Sequence, residues 1–90
     1  MPQAIANPED IERFARDLKQ FSSLLKDSMS RLNGGFRQLG DTWRDQEHQK
    51  YAQEFEQTMR VLNQFMRLSD EQIPFLLRKA NRLREYLSQR

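Results

Sequence analysis

The sequence contains no cysteine, which removes a disulfide framework, a thiolate nucleophile and every cysteine-based zinc site from consideration. It has one histidine, His48, so no histidine pair can anchor a metal. Asp45 and Glu47 stand beside it without supplying a second soft ligand, and His48 reads as a boundary residue next to a loop. No apolar run exceeds three residues, which excludes a membrane-crossing helix and the apolar core of a cleaved signal peptide. Charge of one sign is not in excess: 15 basic against 13 acidic residues leave +2, too little to announce nucleic acid or an anionic membrane as partner. Glycine-rich phosphate loops and nucleophile elbows are missing, and the acids Asp41, Asp45, Glu47, Glu54 and Glu56 suit the solvated start of a helix better than a catalytic pair. Met29, Met59 and Met66 fall in or beside apolar stripes, as adaptable core filling. The expectation is a protein with no enzymatic activity, no metal and no cofactor.

What the chain does contain is helix. Ninety residues with 37% apolar and 31% charged content make one small soluble unit. A chain this short buries only about 60% of its unfolded surface, so self-association is expected from length alone. Three glycines and three prolines punctuate it sparingly. Asn7-Pro8-Glu9-Asp10 reads as a helix start, with an N-cap, a first-turn proline and two acids at the positive end of the dipole. Ile11, Leu18, Leu25, Leu32 and Leu39 then recur at heptad spacing, with Phe14 and Phe21 filling the second heptad position. A second helix keeps a longer frame, stepping four and three residues alternately from His48 through Ala52, Phe55, Met59, Leu62, Met66, Ser69, Ile73, Leu76, Ala80 and Leu83 to Leu87. Gly40-Asp41-Thr42-Trp43 lies between, a turn short enough to make the two helices antiparallel neighbours. Asn33-Gly34-Gly35 is a competing stop signal, against which Phe36 and Leu39 continue the stripe.

The fold class is therefore all-α, an antiparallel two-helix hairpin that dimerises into a four-helix bundle. Its divisions are a disordered N-terminus over 1–7, a hairpin over 8–73 with its turn at 40–43, and a basic helical extension over 74–90. Pairing about that turn matches residues whose numbers sum to about 82, so the second helix outruns the first from about Pro74, where the missing N–H predicts a kink. Ser69-Asp70-Glu71-Gln72 has the form of a capping box, so a separate third helix is the alternative. Tyr51, Val61, Phe65, Leu68 and Phe75 form a second stripe, wider than one neighbouring helix can cover. Val61, Phe65 and Leu68 are the expected dimer interface, and a third helix folded back over them is the other reading. Residues 72–90 carry five basic residues and one acidic one. Phe75, Arg78, Lys79, Arg82 and Tyr86 of that segment are candidates for partner recognition.

Trp43-Arg44-Asp45 in a tight turn, with Tyr51 and Phe55 in the helix that follows, resembles the WXG family of helical-hairpin substrates of type VII secretion systems, related to the early secreted antigenic targets of mycobacteria. Asp45 stands where that family most often has glycine. The family's C-terminal Tyr-x-x-x-Asp/Glu export signal is missing, since Tyr86 is followed four residues later by Arg90. The resemblance implies a homodimer, or a heterodimer with a sister hairpin, exported folded by a membrane ATPase complex without a cleaved signal peptide and cytoplasmic before export. It also implies a recognition role for Trp43, Asp45, Tyr51 and Phe55 at the turn. No nucleic acid and no stable membrane insertion are expected. The alternatives from other classes are a head-to-tail filament subunit, such as a secretion-needle hairpin, and an intracellular coiled-coil adaptor.

Overall fold

A computed structural model describes residues 6–89. The disordered N-terminus expected over 1–7 falls mostly on residues 1–5, which lie outside the described residues. Two helices make up the fold, α1 (Pro8–Leu39) and α2 (Gln46–Ser88). The Asn7 side chain caps α1, accepting from the backbone N–H groups of Glu9 at 2.8 Å and Asp10 at 3.4 Å. Pro8 occupies the first turn, where its missing N–H leaves no bond unmade. At the other end, α1 runs through Gly34 and Gly35 to Leu39.

The helices pack antiparallel into a rod of 69 × 18 × 17 Å. The α2 face in contact with α1 is the four-three frame: Met59, Met66, Ser69 and Ala80 are buried, and His48, Ala52, Phe55, Leu62, Ile73, Leu76 and Leu83 half-buried. Leu87 ends the frame exposed.

On α1 the seam lies elsewhere than the leucine heptad predicts. Pro8, Ala15, Ser22 and Met29 are buried at seven-residue spacing, with Phe36 next in line. Ile11, Leu18 and Leu25 flank them half-buried, while Phe14, Phe21, Leu32 and Leu39 stay exposed. The reason is steric. The buried positions of the seam are small on both helices, Ala15 and Ser22 on α1 and Ser69 and Ala80 on α2, which lets the backbones approach closely, a geometry that a phenylalanine in the seam would prevent. Toward the turn, where the line becomes Met29 and Phe36, the gap is filled by Met59, Met66, Leu25, Phe55 and Leu62.

The register differs too. Ser22 Oγ donates to Asp70 Oδ1 at 3.1 Å, and the Arg84 guanidinium donates twice to the Glu12 carboxylate, both at 2.6 Å. A turn centred at 41 predicts partners near 60 for Ser22 and near 70 for Glu12, so Asp70 and Arg84 lie ten and fourteen residues further along α2. Residues 74–84 therefore do not overhang α1: Ala80 is 0% exposed and Arg84 sits opposite Glu12. The connection is longer than expected, covering 40–45, and the first turns of α2 pack against both Trp43 of the connection and Phe36 at the end of α1. α2 is continuous through Pro74, whose ring is exposed. Among the described residues no third helix is present, so the second stripe is not covered from within the chain.

Candidate interaction surfaces

At the closed end the loop is built from helix ends. Trp43 N–H donates to Leu39 O at 3.0 Å, and Asp41 N–H to Gln38 O at 3.0 Å, so the chain leaves α1 by tightening its last turn. The Arg44 side chain folds back and donates to Gly40 O and Asp41 O, each at 3.1 Å, satisfying carbonyls that the helix end leaves open. Asp45 is the N-cap of α2, with φ −85° and ψ −174°, and its side chain accepts from His48 N–H at 3.0 Å. That backbone geometry makes no demand for glycine, and aspartate adds an acceptor that glycine lacks. Asp45 in place of the usual glycine is thus compatible with the turn.

Half-buried Trp43 meets the His48 ring edge-on at 5.1 Å and Tyr51 at 6.1 Å. Phe36 stacks on His48 at 5.2 Å and on Phe55 at 4.7 Å, and Tyr51 stacks on Phe55 at 6.3 Å. Trp43, Tyr51 and Phe55, proposed together from the turn motif, are therefore one aromatic cluster, with Asp45 fixing the helix start beneath it. Phe36 and His48 complete it. His48 had been readable as a loop-boundary residue, but its Nε2 is buried with no hydrogen-bond partner, which makes the ring part of the packing.

The second surface runs along the rod. Val61, Phe65 and Leu68 are 55%, 44% and 50% exposed, and Phe75 and Tyr51 continue their line toward the two ends. Across the groove α1 contributes Phe14, Phe21 and Leu24, all at least half exposed. Phe14 and Phe21 immediately precede the buried Ala15 and Ser22, and Phe65 immediately precedes the buried Met66. In an antiparallel pair, positions just before each seam lie on the same side of the hairpin. The edge-to-face contact of Phe21 with Phe65, at 5.9 Å and 88°, joins the two halves. One long side of the rod is thereby apolar over most of its length. Phe14 and Phe21 escaped this assignment because the leucine heptad drew them into the seam; the small residues at 15 and 22 were the signal that pointed the other way.

The opposite side is polar. It carries the Glu12–Arg84 bridge and the Ser22–Asp70 bond, and the Arg84 hydrogen bonds hold the Glu12 carboxyl below its ordinary value and the guanidinium above its own. A shallow cleft of about 400 Å³ opens there near the turn, between Phe36, Arg37, Phe55 and Glu56. Of the C-terminal candidates, Arg78, Lys79 and Arg82 are exposed, as is Tyr86 at 71%, and none of these cations is in an ion pair among the described residues. Lys79 and Arg82 extend the apolar side, whereas Arg78 lies behind it.

The chain matches the WXG100 family, described as proteins of 100 residues with WXG, over residues 3–86. Among solved structures it is similar to the secreted protein EsxB of Bacillus anthracis str. Sterne. The wild-type form is 25% identical, with 93% of this chain and 97% of that one covered and a TM-score of 0.78. Two point mutants of EsxB are likewise 25% identical over 94% of this chain, covering 98% and 96% of theirs, with TM-scores of 0.78 and 0.82. No curated protein gives a significant match.

Proposed function

We propose, on the premise that this chain belongs to the WXG100 family, that it acts by protein–protein contact and not by catalysis, as one hairpin of a four-helix bundle handled by a type VII secretion system. The observation that carries this reading is the apolar side of the rod. Seven large apolar residues, Phe14, Phe21, Leu24, Val61, Phe65, Leu68 and Phe75, stand at 44–59% exposure in one continuous surface. A contiguous apolar patch on this scale marks an interaction site. A second hairpin laid on it completes the bundle, with helices packed at the usual 8–10 Å spacing. The turn cluster around Trp43 stays at the end of such a bundle, open to the export machinery. The exposed Phe75, Arg78, Lys79, Arg82 and Tyr86 supply a second recognition segment, and the membrane ATPase complex is its receptor. Among the described residues no helix is long and apolar enough to cross a membrane. The protein waits in the cytoplasm and leaves the cell folded, without a cleaved signal peptide.

The test is export of the tagged chain from a bacterium that has a type VII system, with and without its ATPase. Wild type reaches the medium only when the ATPase is present. Phe65→Glu, which buries an unpaired carboxylate in the interface, abolishes both pairing and export, while Arg60→Ala on the other side of α2 leaves them intact. Normal pairing and export of Phe65→Glu would show that this surface is not the interface.

A further inference from the structure

We propose that the cleft beside the turn, on the polar side of the rod, binds a free phenolic acid: one aromatic ring with a carboxylate at one end and a hydroxyl at the other. The site is independent of pairing and export, since it lies on the side of the hairpin away from the Phe21–Phe65 contact.

The cleft is there because two of its lining residues are small. Ala52 stands in the α2 frame between His48 and Phe55, and Gly40, where α1 ends, has no side chain at all. Gly40 has φ −63° and ψ −16°, a backbone that any residue adopts, so the turn itself does not require glycine there. What the missing side chain leaves is space: a Cβ would stand 3.3 Å from Arg37 O and 3.9 Å from His48 Nε2. The hollow measures about 400 Å³, within the range of small-molecule sites and suited to a single substituted ring.

Three features of the lining select the ligand. The wall is aromatic. Phe36 stacks on Phe55 at 4.7 Å and on His48 at 5.2 Å, and with Met59 these rings give a flat apolar body a surface to lie against. The rim carries an unmatched cation. Glu56 is held by Arg60 at 2.6 Å, so its charge is offset from outside the cleft, while exposed Arg37 is in no ion pair among the described residues. A guanidinium in that position suits a carboxylate, which it holds by two parallel hydrogen bonds. The third feature is His48 Nε2, buried in the lining without a hydrogen-bond partner. A buried polar atom left unpaired within the chain calls for a partner from outside it. The unfilled Cβ position of Gly40 is the approach to that nitrogen. One imidazole tautomer accepts at Nε2 and the other donates, and a hydroxyl serves both.

Other ligand classes fit less well. A lipid chain needs a longer apolar channel than a hollow bounded by Asn33, Arg37 and Glu56. A phosphate needs more than one free cation, and a neutral apolar compound leaves Arg37 and Nε2 unused.

The test is titration of the full chain, labelled with nitrogen-15, with para-hydroxyphenylacetate. Binding is followed by amide shifts and by the emission of Trp43, the only tryptophan, whose ring meets His48 at 5.1 Å. Saturation is expected with a dissociation constant of about 0.1–1 mM, the range for so small a ligand in an open cleft. The shifts should centre on Asn33–Gly40 and His48–Met59. Arg37→Gln, an exposed substitution that leaves packing untouched, weakens binding about tenfold and leaves binding of neutral para-cresol unchanged. Phenylacetate, which lacks the hydroxyl, binds about fivefold more weakly, and His48→Phe, which keeps the stack on Phe36, removes that difference. Gly40→Leu fills the approach and abolishes binding with helical circular dichroism retained. Phe65→Glu on the far side leaves the dissociation constant unchanged, so loss of pairing and loss of the ligand are separate results. No saturable shifts up to about 10 mM, equal binding by Arg37→Gln, or shifts that centre on Phe21 and Phe65 and vanish in Phe65→Glu overturns the site. Equal affinity for the two acids overturns the part assigned to His48 Nε2.

Discussion

Two alanine substitutions test whether α1 is continuous where its sequence offers a stop. Gly34 and Gly35 lie inside the helix, neither has a positive φ, and the position of an added Cβ is open at both. The native backbone therefore accepts alanine without strain, and the substitution removes conformational freedom from the unfolded chain. Glycine is about 0.8–1.0 kcal/mol less favourable than alanine in a helix interior. Gly34→Ala should stabilise by about that amount and the pair by about 1.5–2 kcal/mol. For a domain of this size 1 kcal/mol moves the melting temperature by about 4–8 °C, so the double variant should melt about 6–15 °C higher. Thermal melts followed by far-UV circular dichroism at low micromolar concentration measure this. An unchanged or lowered midpoint in the double variant would refute the reasoning, because it would mean that Asn33-Gly34-Gly35 ends the helix.

Asp45→Ala should cost about 1 kcal/mol through loss of the N-cap, whereas Asp45→Gly costs only a few tenths; urea midpoints that rank glycine below alanine would contradict the capping role. Trp43→Ala should cost about 2 kcal/mol, roughly half the value for a wholly buried ring, with loss of near-UV dichroism and unchanged helicity; a Trp43 emission spectrum equal to that of free indole in water would remove the packing argument. The Glu12 carboxyl is lowered from 4.5, first by the Arg84 hydrogen bonds, so the bridge contributes fully above that ordinary value. Its contribution is lost as pH falls through the lowered folded value. Wild type should accordingly lose more stability than Arg84→Gln between pH 7 and about pH 3; parallel urea midpoints for the two proteins would exclude this linkage.

Much of this was legible in the residue order. The α2 frame from His48 to Leu83 describes the contact surface with α1 almost residue for residue, because four-three spacing over so long a run has no other helical explanation. The helix start at Asn7 was readable from cap chemistry, which acts within one turn, whereas the second N-cap falls at Asp45, beyond the expected turn at 40–43. What periodicity could not supply was which of two parallel stripes on α1 faces α2. Leucines and phenylalanines at heptad spacing outweigh Ala15 and Ser22 on any hydrophobicity count, yet close approach of two backbones selects for small volume. Register was the second difficulty. The loop length sets it, and an error of a few residues at the turn is carried along the whole hairpin, so Glu12 met Arg84 and not a residue near 70. The long-range pairs Ser22–Asp70 and Glu12–Arg84 depend on that register and have no local signature.

These two difficulties share one physical origin, and it bears on what the chain is for. A hairpin 18 × 17 Å in cross-section holds its helices together with alanines, serines and methionines. Such a seam is narrow and buries little apolar area per residue, so by itself it stabilises the hairpin weakly. The large side chains that would ordinarily supply the remainder are present, but they line one outer side. Their burial can be gained only by association, so folding stability and partner binding draw on the same residues. Substitutions at Phe14, Phe21, Val61, Phe65 or Leu68 should therefore change the melting temperature little in dilute solution and strongly where the chain pairs, since a partner that binds the folded state stabilises it by mass action. Substitutions at Ala15 or Ser22 to larger residues should lower it at every concentration, because they force the helices apart. Melting temperatures of Phe65→Ala and Ala15→Leu across a concentration series distinguish the two classes. If Phe65→Ala destabilised the dilute chain as much as the paired one, the outer aromatics would belong to the hairpin's own core, and the division between seam and interface would fail.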